Sequence, residues 1–523
     1  MLTGKNIPNP SLVFSYLSSN KELALILGIL FVQFMLFSSA FPLVGSIDEI
    51  GEAIDGLAIK SYILDTFASG PANPISYFEE VQSHAFGLNL KSRPPYFRGL
   101  EAATFIFLQP GIGTARLLVL LHAALFFAAW YYFTSRDYGK GAALFSSLFL
   151  LVSLAFIQFS WRVYLEFAYL LFALIAVMAF KGYLREQSNR NLFILCTAIL
   201  LGLMTKEVFV SIVLSFAVLA AFELRGKYRI GEARRLAQRI LSNGLFLPSF
   251  AIIAAISIPW YVIKASTPLA ASLAAGKPFA PADFLAYPVM LVSQEPILAA
   301  GFALYCALCL FAKGKKNPFS ENDAPYLSLF AGFFIVVSLA SHKEIRYLFF
   351  LYPVFALLLF RALETVAPSK KALLALASAC VLSQAAISAI SIGSVAQISY
   401  SDYESAAQYI EAKGGNYLFA GNPSNSAISY YLLLDGNWRS NHLTRLYKTA
   451  FDQVAKAYGI SNTSSNEFFY SMLDYYSIDS VIVERSFAGD VPEYLTAVSE
   501  VDGSGKFELM WEQNAIGIYR YKK

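Results

Sequence analysis

Residues 22–50 read ELALILGILFVQFMLFSSAFPLVGSIDEI. The part from 22 to 44 is apolar over the length of a bilayer span, for which roughly 20 residues are needed. It is too long for the core of a signal peptide and has no small-residue cleavage site at its end, so it reads as an uncleaved first membrane helix. Ile47-Asp48-Glu49-Ile50 follows directly, placing carboxylates at the end of an apolar anchor.

The rest of the chain repeats the apolar pattern. Of 523 residues, 57% are hydrophobic, 15% aromatic and 15% charged, and the mean hydropathy is +0.52. Soluble domains carry about 25% charged residues, which excludes an ordinary cytosolic enzyme, a disordered chain and a nucleic-acid binder. Further apolar runs lie at 113–134, 140–155, 163–180, 191–204, 207–224, 243–263, 288–312, 325–341, 345–363 and 372–393. The expectation is a polytopic α-helical membrane protein with about 11 transmembrane helices.

Orientation follows from Lys and Arg in the short loops. Arg136/Lys140, Lys181/Arg185/Arg190, the cluster from Arg225 to Arg239, Lys313/Lys315/Lys316 and Lys370/Lys371 all fall on one side if the helices alternate from a cytoplasmic N-terminus. That alternation requires 96–110, which carries Arg98 and Glu101 between proline-bearing boundaries, to be an interfacial helix and not a span. The basic 225–242 segment reads as a solvated inner loop near anionic lipid.

Two regions are then extracytoplasmic. The first outer loop, 45–112, has eight acids (Asp48, Glu49, Glu52, Asp55, Asp65, Glu79, Glu80, Glu101) against four bases (Lys60, Lys91, Arg93, Arg98). The tail carries 15 acids and 10 bases over 399–523, a net of −5 that leaves +9 for the remainder. The expected domains are a transmembrane module, 1–395, and a C-terminal extracytoplasmic α/β domain, 396–523. In the tail, 402–413 and 467–475 have helical periodicity, 416–420 and 480–483 read as strands, and 506–511 with 515–521 as a closing hairpin. Cys196, Cys306, Cys309 and Cys380 all sit inside apolar runs, so no disulfide framework serves the outer segments. Cys306 and Cys309 have CxxC spacing without His neighbours and read as small core residues.

Charges at membrane depth carry the functional information, because each costs roughly 2.5–3.5 kcal/mol near the bilayer centre. If 48–65 is helical, Asp48, Glu52 and Asp55 share one face and Ile50, Ile54 and Leu57 the other. Such a helix on the outer leaflet aims carboxylates at the water–lipid boundary, although acids in a first helical turn also simply complement the macrodipole. Arg162 and Glu166 are four apart in a short outer loop, spaced for a local ion pair that either serves a site or only lowers the cost of two charges in lipid. Lys206-Glu207 interrupts the apolar run 191–224 and marks a hairpin tip, where Lys206 either binds an anion or snorkels. Ser341-His342-Lys343-Glu344-Ile345-Arg346-Tyr347 places three potential cations within five residues on the side that the positive-inside rule disfavours. Arg supplies a fork for phosphate, Lys a point charge and His a further donor.

Acids on the first outer loop and bases on later ones are expected to converge in one outer cavity. Transfer of a sugar from a lipid phosphate fits that division: cations stabilise the phosphate leaving group, and a carboxylate takes the acceptor hydroxyl's proton.

These residues in this order resemble the polytopic glycosyltransferases of the C superfamily (GT-C), which use polyprenyl- or dolichyl-phosphate sugars. The resemblance covers about 1–395, with the acidic Asp48-Glu49 pair after the first helix and a large first outer loop. His342-Lys343-Glu344-Ile345-Arg346 looks like the HKE-x-R signature of dolichyl-phosphate-mannose-dependent mannosyltransferases, and Arg162…Glu166 resembles their Arg-x-x-x-Glu element. Lys206-Glu207 after Gly202 looks more like the protein O-mannosyltransferase and aminoarabinose-transferase branches. The Thr-Trp-Glu element of the mannosyltransferases is absent near 88–93, and so is the Trp-Trp-Asp signature of oligosaccharyltransferases.

The resemblance implies an inverting transfer of one monosaccharide, such as mannose, to a protein, lipid or glycan acceptor. Asp48 is the implied base and Glu49 the second choice, with His342, Lys343 and Arg346 holding the donor phosphate. Arg93, Arg162, Glu166, Lys206 and Glu207 are further substrate-binding candidates. No cofactor and no metal site is required, while the acidic loop leaves room for a divalent ion. The expected setting is a cell membrane in preference to the endoplasmic reticulum. The rival class is a transporter or lipid flippase, which would place its charges near the midplane and show internal repeats.

Overall fold

The computed structural model describes residues 20–40, 47–84, 94–223, 238, 240–265, 283–311, 318–339, 345–392, 401–421, 427–435, 438–445, 454, 456–485 and 492–522. The chain divides into two compact units. One consists of Met1–Ala40, Lys91–Phe97 and Leu117–Ala396, the other of Phe41–Leu90, Arg98–Arg116 and Gln397–Lys523.

The first unit is built of helices because its sequence offers long apolar runs that satisfy their own backbone hydrogen bonds. Each expected apolar run coincides with helix, from Lys21–Ala40 to Lys370–Ile392; the basic 225–242 segment lies largely outside the described residues. Among the described residues four helices have the length and composition to cross a membrane: Lys21–Ser39, Ile112–Tyr138, Glu166–Glu186 and Lys370–Ile392. Two bent pairs raise this to six, and Asn189–Leu203, Phe246–Val262 and Asp323–Leu339 are shorter apolar helices.

The bends correct two expectations. The run 288–312, read as one span, is broken between Gln294 and Pro296 by 119°, where proline suits the first turn of the new helix and cannot continue the old one. The run starting at Lys140 does not end near 155 but turns by 74° at Ser153 and continues as Leu154–Trp161.

Burial sorts these helices. Glu166–Glu186 is 89% buried over its most apolar window, whereas Lys21–Ser39 and Lys370–Ile392 are only 22% and 17% buried. Helices that are apolar all round yet exposed fit an apolar solvent. Close approach inside the unit uses glycine: a Cβ on Gly332 would stand 2.5 Å from the Ser215 backbone nitrogen, so only glycine lets helix Asp323–Leu339 seat against helix Ile212–Glu223.

In the second unit, helices Ile47–Ser69 and Pro74–His84 accompany a five-stranded sheet. Its strands are β1 (Gly415–Ala420), β2 (Asn441–Arg445), β3 (Ser480–Glu484), β4 (Phe507–Gln513) and β5 (Ile516–Tyr521), in the order β2-β1-β3-β5-β4. Strand β1 pairs in parallel with β2 and β3; β5 runs antiparallel to β3 and β4. The β4–β5 hairpin closes through Asn514 at φ 48°, a left-handed position that asparagine tolerates. Leu418, Ala420, Val481 and Val483 pack with Phe468, Met472, Leu473 and Ala497 in one apolar core. Helix Asn466–Tyr475 starts at Ser465, whose hydroxyl accepts the Phe468 N–H, a standard N-cap bond.

Candidate functional site

Each unit carries a group of charged side chains that includes residues expected from the sequence. In the helical unit the chain leaves helix Asn189–Leu203 at Thr205, Lys206 starts a 3-10 turn, Glu207–Ser211, and the run resumes as Ile212–Glu223. This turn is fixed locally: the Tyr96 N–H donates to the Met204 carbonyl at 2.9 Å, and the Tyr261 hydroxyl to that of Leu203 at 3.0 Å. Lys206 Nζ lies 2.6 Å from Oε1 of the buried Glu166. The expected partner of Glu166 was Arg162; the structure gives Glu166 to Lys206 from the next hairpin. Arg162 instead lies over the Trp161 ring at 5.0 Å.

Two tyrosines organise the cations. Lys206 sits 5.2 Å from the Tyr169 ring centre and 5.6 Å from that of Tyr347, and Arg346 lies 5.7 Å from the same Tyr347 ring. Lys206 and Arg346 therefore share one aromatic ring, although about 140 positions separate them in the sequence. Aromatic rings attract such cations through their quadrupoles, an attraction that for Lys206 adds to its ion pair with Glu166. Glu207 is exposed beside them. His342, Lys343 and Arg93 lie outside the described residues.

In the second unit, Asp48 falls in the first turn of helix Ile47–Ser69, and its side chain lies outside the described residues. Its neighbour Glu49 is fully buried and bound to Arg116, with Nε to Oε1 at 2.9 Å and Nη2 to Oε2 at 3.5 Å. Arg98 reaches Glu52 at 2.5 Å and Asp55 at 2.6 Å. The expected amphipathic helix with outward carboxylates is corrected here. Glu49, Glu52 and Asp55 are buried, as are Arg98 and Glu101 of helix Tyr96–Phe107. The physical reason is that two guanidiniums from later segments meet these acids, and a buried charge is tolerated when paired and hydrogen-bonded. Gly56 permits the approach, since a Cβ there would stand 2.8 Å from Cβ of Glu101. Tyr430, from helix Ala427–Asp435, accepts the Ile112 N–H at 3.0 Å and so satisfies a free donor in the opening turn of the helix that bears Arg116.

Sequence reasoning missed Arg116, Tyr169 and Tyr347 as parts of these groups. Arg116 had a usable signal, a lone base just inside the outer end of an apolar run. Tyr347 lay at the end of the quoted 341–347 stretch without being assigned a part, and Tyr169 had no signal, because the chain holds 31 tyrosines.

No family model and no curated protein sequence matches the chain. Solved structures do match. The structure of ArnT from Cupriavidus metallidurans in the apo state superposes with a TM-score of 0.61 at 13% identity, covering 96% of this chain and 98% of that one. The same protein bound to undecaprenyl phosphate gives 0.58 at 12% identity over 95% and 97%. The apo oligosaccharyltransferase of Archaeoglobus fulgidus gives 0.60 at 11% identity, over 90% of this chain and 70% of that one. Both proteins are GT-C glycosyltransferases. Across nearly its whole length, this chain has the GT-C fold.

Proposed function

We propose that the chain is a membrane glycosyltransferase that moves one monosaccharide from a polyprenyl-phosphate donor to an acceptor hydroxyl at the extracytoplasmic face. The observation that carries this reading is the sharing of Tyr347 by Lys206 and Arg346, two cations drawn from distant hairpins. It occurs in a fold that matches a protein bound to undecaprenyl phosphate over 95% of the chain.

The chemistry follows from the charges. Asp48 accepts the acceptor hydroxyl's proton as that oxygen attacks the anomeric carbon. The bond from this carbon to the phosphate oxygen breaks, and the electron pair leaves with polyprenyl phosphate, giving inversion. Arg346, Lys206, Lys343 and His342 meet the growing negative charge, so no proton donor is needed for the leaving group. Glu49 suits the base role less well, because protonating its carboxylate would forfeit the ion pair to Arg116. Glu166 holds Lys206, Arg162 and Glu207 serve the donor or the sugar, and Arg93 closes the site over the substrate. Residues 396–523 stand outside the membrane, as does the first outer loop. The acceptor is a protein, lipid or glycan hydroxyl.

The test is Asp48→Asn in purified chain with a labelled polyprenyl-phosphate sugar. Turnover should fall by at least about a hundredfold with donor binding retained; unchanged turnover removes Asp48 from the role. Transfer measured in detergent, where no second compartment exists, separates this reading from a transporter or flippase.

A further inference from the structure

The helical unit contains a buried carboxylate that the proposed reaction does not use. Glu295 is 1% exposed and sits at the 119° break between the helices ending at Gln294 and starting at Pro296. Its Oε1 accepts the Ser153 hydroxyl at 2.6 Å, and the Ala155 backbone and the Gln384 side chain lie beside the carboxylate. Ser153 is the point where the other bent pair turns by 74°. One carboxylate thus joins the two broken helix pairs at their bends, beside the start of the shorter segment, Leu154–Trp161.

That segment leads to the cations. Phe156 stacks on Phe349 at 4.1 Å, and Phe159 meets the same ring at 5.2 Å. Phe349 follows directly on the 3-10 turn Ile345–Leu348 that bears Arg346, and its N–H donates to the Arg346 carbonyl at 3.1 Å. The segment itself ends at Trp161, one residue before Arg162. No cation pairs with Glu295 among the described residues, so acceptor geometry, and not charge, is what it supplies.

We propose that Glu295 is a positioning residue for the donor-phosphate cations: by fixing the turn at Ser153 it seats Leu154–Trp161 against Phe349 and so sets where Arg346 stands. The proposal rests on the reading that Arg346 binds the donor phosphate.

The experiment uses the full chain in detergent, with undecaprenyl phosphate as the probe, and compares Glu295→Ala, Glu295→Gln, Ser153→Ala and Arg346→Ala, alone and combined. Glu295→Ala and Ser153→Ala should each weaken binding about tenfold to a hundredfold, the cost expected of a displaced binding group. In turnover assays donor KM should rise far more than kcat changes. Glu295→Gln, which keeps the acceptor oxygen, should bind within about twofold of the parent. In the Arg346→Ala background Glu295→Ala should have no further effect, since residues acting through one another are not additive.

Binding unchanged in both Glu295→Ala and Ser153→Ala, or equal losses with and without Arg346, overturns the proposal. So does Glu295→Gln binding as poorly as Glu295→Ala. Ser153→Ala removes one hydroxyl and keeps the test open if Glu295→Ala does not fold. Arg346→Ala alone binding like the parent overturns the underlying reading, and the proposal with it, and that result is obtained without touching Glu295.

Discussion

Arg98 shows how much of this molecule is decided by single buried charges. Its guanidinium is fully buried between Glu52 and Asp55, and removing one partner of such a group leaves uncompensated carboxylates in a dry setting. Arg98→Met should therefore lower stability by about 3–5 kcal/mol, read as a fall in the unfolding temperature of the detergent-solubilised chain. A shift within error would mean that these acids find other donors. The same pairing limits what the residues alone revealed. The acids after the first helix were legible as a group; the guanidiniums that meet them, Arg98 and Arg116, were not the later-loop cations expected there. The helical spacing of Asp48, Glu52 and Asp55 pointed them to water, because periodicity reports which residues share a face and not what covers that face. Likewise Glu166 was legible as half of an ion pair. Its partner, Lys206, is 40 residues away and could be found only once the hairpins were folded.

At the scale of elements, apolar run length located the helices well, and alternation located β1, β3, β4 and β5. Strand β2 was missed because Asn-His-Leu-Thr-Arg holds a single apolar residue, Leu443, leaving no alternation to read. Helix Ala427–Asp435 was missed because a short apolar run does not distinguish helix from strand. The two bends were missed for a related reason: hydropathy counts residues across a break without sensing it. Helix packing gives a contrast that can be measured. Gly332→Ala should lose about 1–3 kcal/mol through overpacking against Ser215, whereas Gly28→Ala, with nothing within 4 Å of the added atom, should be neutral or slightly stabilising. Equal effects at the two positions would contradict the close approach seen at Gly332.

The junction of Pro74–His84 with the sheet gives a pH prediction at the same scale. Partial burial works against the Asp65 charge, but hydrogen bonds from Tyr77 and Arg439 outweigh it and hold its carboxyl below the usual value. A carboxyl depressed on folding contributes stability that is fully present above its unfolded value of about 3.9 and is lost as pH falls through the folded one. Amides of helix Pro74–His84 should therefore lose hydrogen-exchange protection on acidification below about pH 4. Arg439→Ala should shift that loss toward higher pH, and an unshifted profile would remove Arg439 from the junction.

For the whole molecule, composition and charge partition already required a polytopic membrane protein with an acidic tail. The GT-C fold was legible from the order of its charged motifs, and the solved structures share it at 11–13% identity. So little identity suffices because a membrane fold is specified by run lengths, breaks and a few buried charges, each of which many sequences can supply. The sugar and the acceptor are different: they depend on side chains lining a cavity, which patterning does not encode.

The central claim is that the cations gathered around Tyr347 bind the phosphate of a polyprenyl carrier. Its most direct measurement compares the affinity of the purified full chain for undecaprenyl phosphate and for undecaprenol. The account predicts that the phosphate lipid binds at least about tenfold more tightly, the share expected of charge-assisted bonds, and that this preference disappears in Arg346→Ala. Equal affinity for the two lipids in the parent chain, or a preference that survives loss of Arg346, would contradict it.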